Sequence, residues 1–99
     1  MLYLILGHDK RDALPIRQAT RPAHLDYVRV LHEQGRLVIV GPRPKIDTLA
    51  PTEAGYFGSL IIAEFASLQA AQAWAAQDPY AKAGVFERVD VQPFIQVQL

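Results

Sequence analysis

Leu2-Tyr3-Leu4-Ile5-Leu6 is an apolar run that Gly7 ends after five residues. That is strand length rather than helix length, and the lack of alternation predicts a central strand covered on both faces. Ser59-Leu60-Ile61-Ile62-Ala63-Glu64-Phe65 repeats the pattern and predicts a second central strand. Two helical segments separate such runs. Pro15 reads as a break, and Thr20 as an N-cap with Pro22 in the first turn. Leu25, Val28 and Leu31 then recur at helical spacing until Gly35 ends the helix. Arg36 to Val40 is rich in β-branched residues and stops at Gly41-Pro42. Residues 42–58 hold three prolines and two glycines and read as a long loop. Ser67 caps the second helix, carried by Ala70, Ala71, Ala73, Trp74, Ala75 and Ala76 and ended by Asp78-Pro79. Tyr80 to Gly84 allows one more turn. Val85 to Val91 alternates as a half-exposed strand, and Phe94 to Leu99 forms a last extended piece.

The order β-α-β-β-α-β predicts an α+β, ferredoxin-like fold in one domain over residues 1–99, with the first and third strands central. Both helices would cover one sheet face. The other face, bare and aliphatic, predicts a partner, most simply a second copy in a homodimer. Ten acidic and ten basic residues leave no net charge, which argues against an electrostatic nucleic-acid binder. The longest apolar run, about six residues, is far below the ~18 of a membrane span. With 51% hydrophobic residues the chain is not a disordered one. No signal peptide is visible, and cysteine is absent, so disulfides and thiolate chemistry are excluded. The expected compartment is the cytoplasm.

Few motifs for chemistry are present. The sequence has no GxGxxG, no Walker A segment and no Gly-x-Ser-x-Gly elbow. Glu64 and Glu87 have no evident partner for glycosidase work. His24 and His32 stand eight apart, not at the i,i+4 spacing of a helical zinc pair, so no metal site is expected. His32 reads as a solvent-side residue near a helix end, and His8 as one facing water. His24 is different because it lies beside the apolar stripe of the first helix. It is either a hydrogen-bonded structural imidazole or a general acid or base, since histidine titrates near neutral pH. Asp78 is either a turn device before Pro79 or a carboxylate that orients His24, the part an aspartate plays in hydrolase triads.

The blocks Arg21-Pro22-Ala23-His24-Leu25, Leu31-His32-Glu33-Gln34-Gly35-Arg36-Leu37, Gly41-Pro42, Gly58-Ser59, Ala63-Glu64-Phe65 and Asp78-Pro79-Tyr80 resemble the YCII-related (YciI-like) family. So does the ending from Ala83-Gly84-Val85-Phe86 through Val91-Gln92-Pro93-Phe94. The resemblance runs nearly end to end. It implies a dimeric α+β barrel made by two ferredoxin-like sheets packed face to face. It also implies a catalytic pair of His24 and Asp78, with Arg21, Ser59 and Tyr80 as substrate-binding neighbours. Each of those three has a plainer reading as well: Arg21 neutralising Asp26, Ser59 bonding to backbone, Tyr80 packing. A few relatives act on ring-derived carbon acids, including by dehydrochlorination. The expected function is a lyase or isomerase, needing no cofactor, that acts on a small organic acid or ring-derived compound. The alternative is a dimeric module that binds a small ligand without chemistry. Tyr56 and Phe57 would line the pocket under the 42–57 loop.

Overall fold

The computed structural model describes all of residues 1–99. Strand β1 (Leu2–Asp9) leads into helix α1 (Leu14–Glu33), then strand β2 (Leu37–Pro44). A 3-10 turn at Thr52–Ala54 precedes strand β3 (Tyr56–Glu64). Helix α2 (Leu68–Ala76), a short helix α3 (Pro79–Ala83) and strand β4 (Phe86–Phe94) complete the chain. The four strands form one antiparallel sheet in the order β2-β3-β1-β4. The fold is therefore α+β with ferredoxin-like βαββαβ order, and the two most apolar strands are central.

The boundaries differ from the sequence reading in informative ways. Helix α1 starts at Leu14, not near Thr20. Pro15 sits in its first turn, where a missing N–H costs nothing, and Pro22 lies inside the helix. Strand β2 runs through Gly41-Pro42 to Pro44. It is an edge strand, so its prolines interrupt no ladder on the open side. Strand β3 starts at Tyr56, which shortens the preceding loop to residues 45–55. The extra turn after Asp78-Pro79 is α3, closed by Gly84 at φ 83°, a left-handed position suited to glycine.

Burial along β1 alternates rather than covering both faces. Tyr3, Ile5 and Gly7 are buried, while Leu2, Leu4 and Leu6 are only partly so. The covered face meets the helices in a core of Tyr3, Ile5, Val28, Leu31, Ile61, Ala63, Phe65, Ala71 and Ala75. Leu31 is 1% exposed, and burial of such a side chain stabilises by about 1.5–3 kcal/mol. Ser67 Oγ accepts the Ala70 N–H at 3.0 Å and so caps α2. Gly58 is needed for space: a Cβ there would strike the Gly7 carbonyl oxygen and the Arg43 guanidinium. No helix is long and apolar enough to cross a membrane.

Candidate active site

Arg17, Arg21 and His24 follow one another at spacings of four and three on α1, so one helix face presents all three. That face borders a cavity of about 240 Å³. Its other walls are Val40, Gly41 and Pro42 of β2, Tyr56 and Ser59 of β3, Thr52, and Tyr80 of α3. His24, Arg21, Ser59 and Tyr80 thus share one cavity. Asp78 does not line it but sits behind His24.

His24 Nδ1 lies 2.8 Å from Asp78 Oδ1 and 3.1 Å from Oδ2. Both residues are buried, at 4% and 3% exposure. Asp78 is the N-cap of α3, and its Oδ1 also accepts the Tyr80 backbone N–H at 2.9 Å. A carboxylate only accepts, so the proton on Nδ1 belongs to the histidine and the neutral ring keeps its lone pair on Nε2. Arg43 Nε is the one sealed-off side-chain nitrogen or oxygen without a hydrogen-bond partner. The unbonded His24 Nε2 is therefore open to the cavity. The Tyr80 ring stacks on the imidazole, with centroids 3.9 Å apart and planes 13° from parallel, which fixes the ring's tilt.

Beyond Tyr80 lies a residue that sequence reasoning missed. Arg17 is 4% exposed. It donates from Nε and Nη2 to Asp9 at 2.8 and 2.7 Å, and from Nη2 to Ser59 Oγ at 3.0 Å. Its guanidinium carbon lies 4.6 Å from the Tyr80 ring centroid, so Tyr80 is held between an imidazole and a guanidinium. Burial disfavours the Arg17 charge, but the bonds and charge of Asp9 outweigh it, and the pKa is held above the ordinary arginine value. Burial likewise raises the Tyr80 phenol, against the lowering pull of Arg17 and Arg21, so Tyr80 stays a hydrogen-bond donor through the neutral range. A helix assumed to begin near Thr20 had no place for Arg17. Its spacing of seven from His24 was the available signal.

The plainer readings resolve residue by residue. Asp26 pairs with Arg29 at 2.6 Å, so it is not Arg21 that neutralises it. Arg21 is exposed at the cavity wall and makes no ion pair. Ser59 bonds to the Arg17 side chain. Tyr56 lines the cavity, whereas Phe57 is 55% exposed outside it. His32 is exposed. His8 lies outside the cavity and bonds to Asp90 at 2.8 Å. That bond holds the partly exposed Asp90 carboxyl below its ordinary pKa, with Arg88 adding to the effect. No group of three or more His, Cys, Asp or Glu side chains is placed to hold a metal ion.

Known proteins match this chain along nearly its whole length. The family model described as "YCII-related domain" matches residues 1–95. Protein YciI of Escherichia coli O6:H1 is 54% identical over 97 residues, covering 98% of this chain and 99% of that protein. An uncharacterised protein of Haemophilus influenzae is 47% identical over the same span. Among solved structures, 5-chloro-2-hydroxyhydroquinone dehydrochlorinase (TftG) of Burkholderia phenoliruptrix AC1100, in complex with 2,5-dihydroxybenzoquinone, superposes with a TM-score of 0.86. It is 28% identical, with 98% of this chain and 96% of that one covered.

Proposed function

The chain belongs to the YCII-related family, and from that footing we propose that it is an enzyme of lyase or isomerase type that needs no cofactor. The observation that carries the reading is the state of His24. One ring nitrogen is held by a buried carboxylate while the other is free and faces a cavity. His24 Nε2 acts as the base, taking a proton from an acidic C–H or O–H of the substrate. The electron pair left behind moves through the substrate and either expels a leaving anion or returns to another atom with the proton. Asp78 fixes the tautomer and offsets the positive charge that His24 gains. A positioned base of this kind contributes about 10²–10⁴-fold.

The substrate is a small ring-derived compound or organic acid. The cavity, near 240 Å³, falls below the about 300–1,000 Å³ of pockets for drug-sized ligands. Arg21, unpaired at the wall, and the buried Arg17 favour a substrate that carries or develops negative charge. Tyr80 and Ser59 add hydroxyl groups for orientation. The dehydrochlorinase at 28% identity makes elimination of a halide from an oxygenated ring the first chemistry to try. In the dimer implied by the family, the bare sheet face with Leu4, Leu6 and Leu60 packs against the same face of a second copy.

The test is turnover of a panel of halogenated and unhalogenated hydroquinones and small carbon acids. Halide release and solvent deuterium exchange are the readouts. The wild-type protein is expected to turn over at least one member, and His24→Ala to lower that rate by about two to four orders of magnitude. Equal rates for His24→Ala and His32→Ala would remove the assignment. Tight binding with neither halide release nor exchange would make the protein a ligand-binding module instead.

A further inference from the structure

Arg17, Ser59 and Tyr80 are 4%, 4% and 2% exposed, yet all three border the cavity beside His24. Each carries a polar hydrogen that the chain leaves unused. A guanidinium offers five N–H groups and accepts nothing. Asp9 takes one from Nε and one from Nη2, and Ser59 Oγ takes another from Nη2. Nη1 makes no hydrogen bond. Because Ser59 Oγ accepts from Arg17, its own hydrogen is left to donate, and no oxygen of the chain receives it. The Tyr80 hydroxyl hydrogen has no acceptor either. Burial raises that phenol while Arg17 and Arg21 oppose the rise, which puts both guanidinium groups near the hydroxyl and keeps it protonated at neutral pH. Arg43 Nε is the only sealed-off polar side-chain atom without a partner, so Arg17 Nη1 and Tyr80 Oη open to the cavity. Two arginines and no acidic side chain line its walls.

The bonds already made decide which anion fits these donors. Carboxylates pair with arginine through two parallel N–H groups. Asp9 occupies the edge formed by Nε and Nη2. On the other edge, both Nη2 hydrogens are given to Asp9 and Ser59. Arg17 therefore has only Nη1 to offer, a one-point contact suited to a single charged oxygen. The Tyr80 ring centre lies 3.9 Å from the imidazole centre and 4.6 Å from the guanidinium carbon, so those two are at most about 8.5 Å apart. A hydrogen bond of about 2.8 Å at each end leaves room for one ring between them.

We propose that Arg17 Nη1, Ser59 Oγ and Tyr80 Oη form an oxyanion subsite for a phenolate or enolate oxygen, one ring's breadth from the atom that His24 deprotonates. The inference deepens the base reading above and rests on it. As His24 Nε2 takes the proton, the electron pair of the broken bond passes through the conjugated ring to the oxygen at these donors. Fixed donors aimed at charge as it develops need no reorganisation during the step. The substrate class is thereby a hydroxylated ring or its keto form. A carboxylic acid does not fit, because its charge sits on two oxygens of one carbon and calls for the fork that Asp9 already fills.

4-Nitrophenolate, a ring with one charged oxygen, and benzoate, a ring with a carboxylate, separate the alternatives in a calorimetric titration. The phenolate is expected to bind about tenfold or more tightly than benzoate. Ser59→Ala and Tyr80→Phe each remove one hydroxyl and are expected to weaken phenolate binding about ten- to a hundredfold. Tyr80→Phe keeps the stacked ring, so it decides the matter if Ser59→Ala does not fold. His24→Ala is expected to leave phenolate affinity unchanged. No phenolate binding, equal binding of the two anions, an unchanged affinity in both hydroxyl variants, or a loss confined to His24→Ala overturns the proposal. Phenolate held through Ser59 and Tyr80 in a chain that turns over nothing in the panel above removes the enzyme reading and leaves the subsite standing.

Discussion

At the scale of residues, the two ion pairs of α1 show how surroundings set the worth of a charge. Arg17 and Asp9 have side chains only 4% and 6% exposed, whereas Arg29 and Asp26 are 55% and 76% exposed. Removing one member of a buried pair strands the other charge in low dielectric, at about 3–5 kcal/mol. An exposed pair contributes about 0–1 kcal/mol. Arg17→Met is therefore expected to lower unfolding free energy in urea by about 3–5 kcal/mol, and Arg29→Met by less than about 1. Similar losses in the two variants would show that solvent reaches Arg17. His24 and Asp78 were legible as candidates because histidine near an apolar stripe and Asp before Pro are visible patterns. That they meet was legible only through the family resemblance, since no spacing rule spans the 54 positions between them.

Helices and strands repeat the lesson with their ends. Ser67 before an alanine-rich run is a cap readable from sequence, and the bond to Ala70 N is present. Ser67→Ala is expected to cost about 1 kcal/mol in thermal or urea unfolding; no measurable loss would mean that the first turn of α2 is held by packing instead. Proline misled the reading at two ends. Pro15 looked like a break but occupies the first turn of α1, where its missing N–H costs no helical bond. Pro42 looked like a stop but lies on an edge strand, whose outer side has no ladder to interrupt. Both outcomes depend on which neighbours the backbone meets, and local propensity carries no record of that. The cost was Arg17, which lies in the part of α1 assigned to a loop.

For the whole molecule, one sheet face packs against α1 and α2 and the other carries aliphatic side chains to the surface. Such a face is stabilised by pairing with a like face. At micromolar concentration the chain is expected to sediment as a species of twice 11.0 kDa. A single species of 11.0 kDa would leave the bare face without a second copy to cover it.

The sequence by itself determined the order of elements, the two central strands, the capping of α2 and the residue types available for proton transfer. These follow from periodicity, composition and short-range turn chemistry, all of which act within a few residues. Only the tertiary structure decided that His24 faces a cavity with Asp78 behind it, that Tyr80 lies between the imidazole and Arg17, and that Ser59 serves Arg17 rather than the backbone. Those contacts join α1 to β1, β3 and α3 across 8 to 54 positions. Side-chain geometry at such separations is set by how the layers pack, and a spacing rule confined to one element does not reach it.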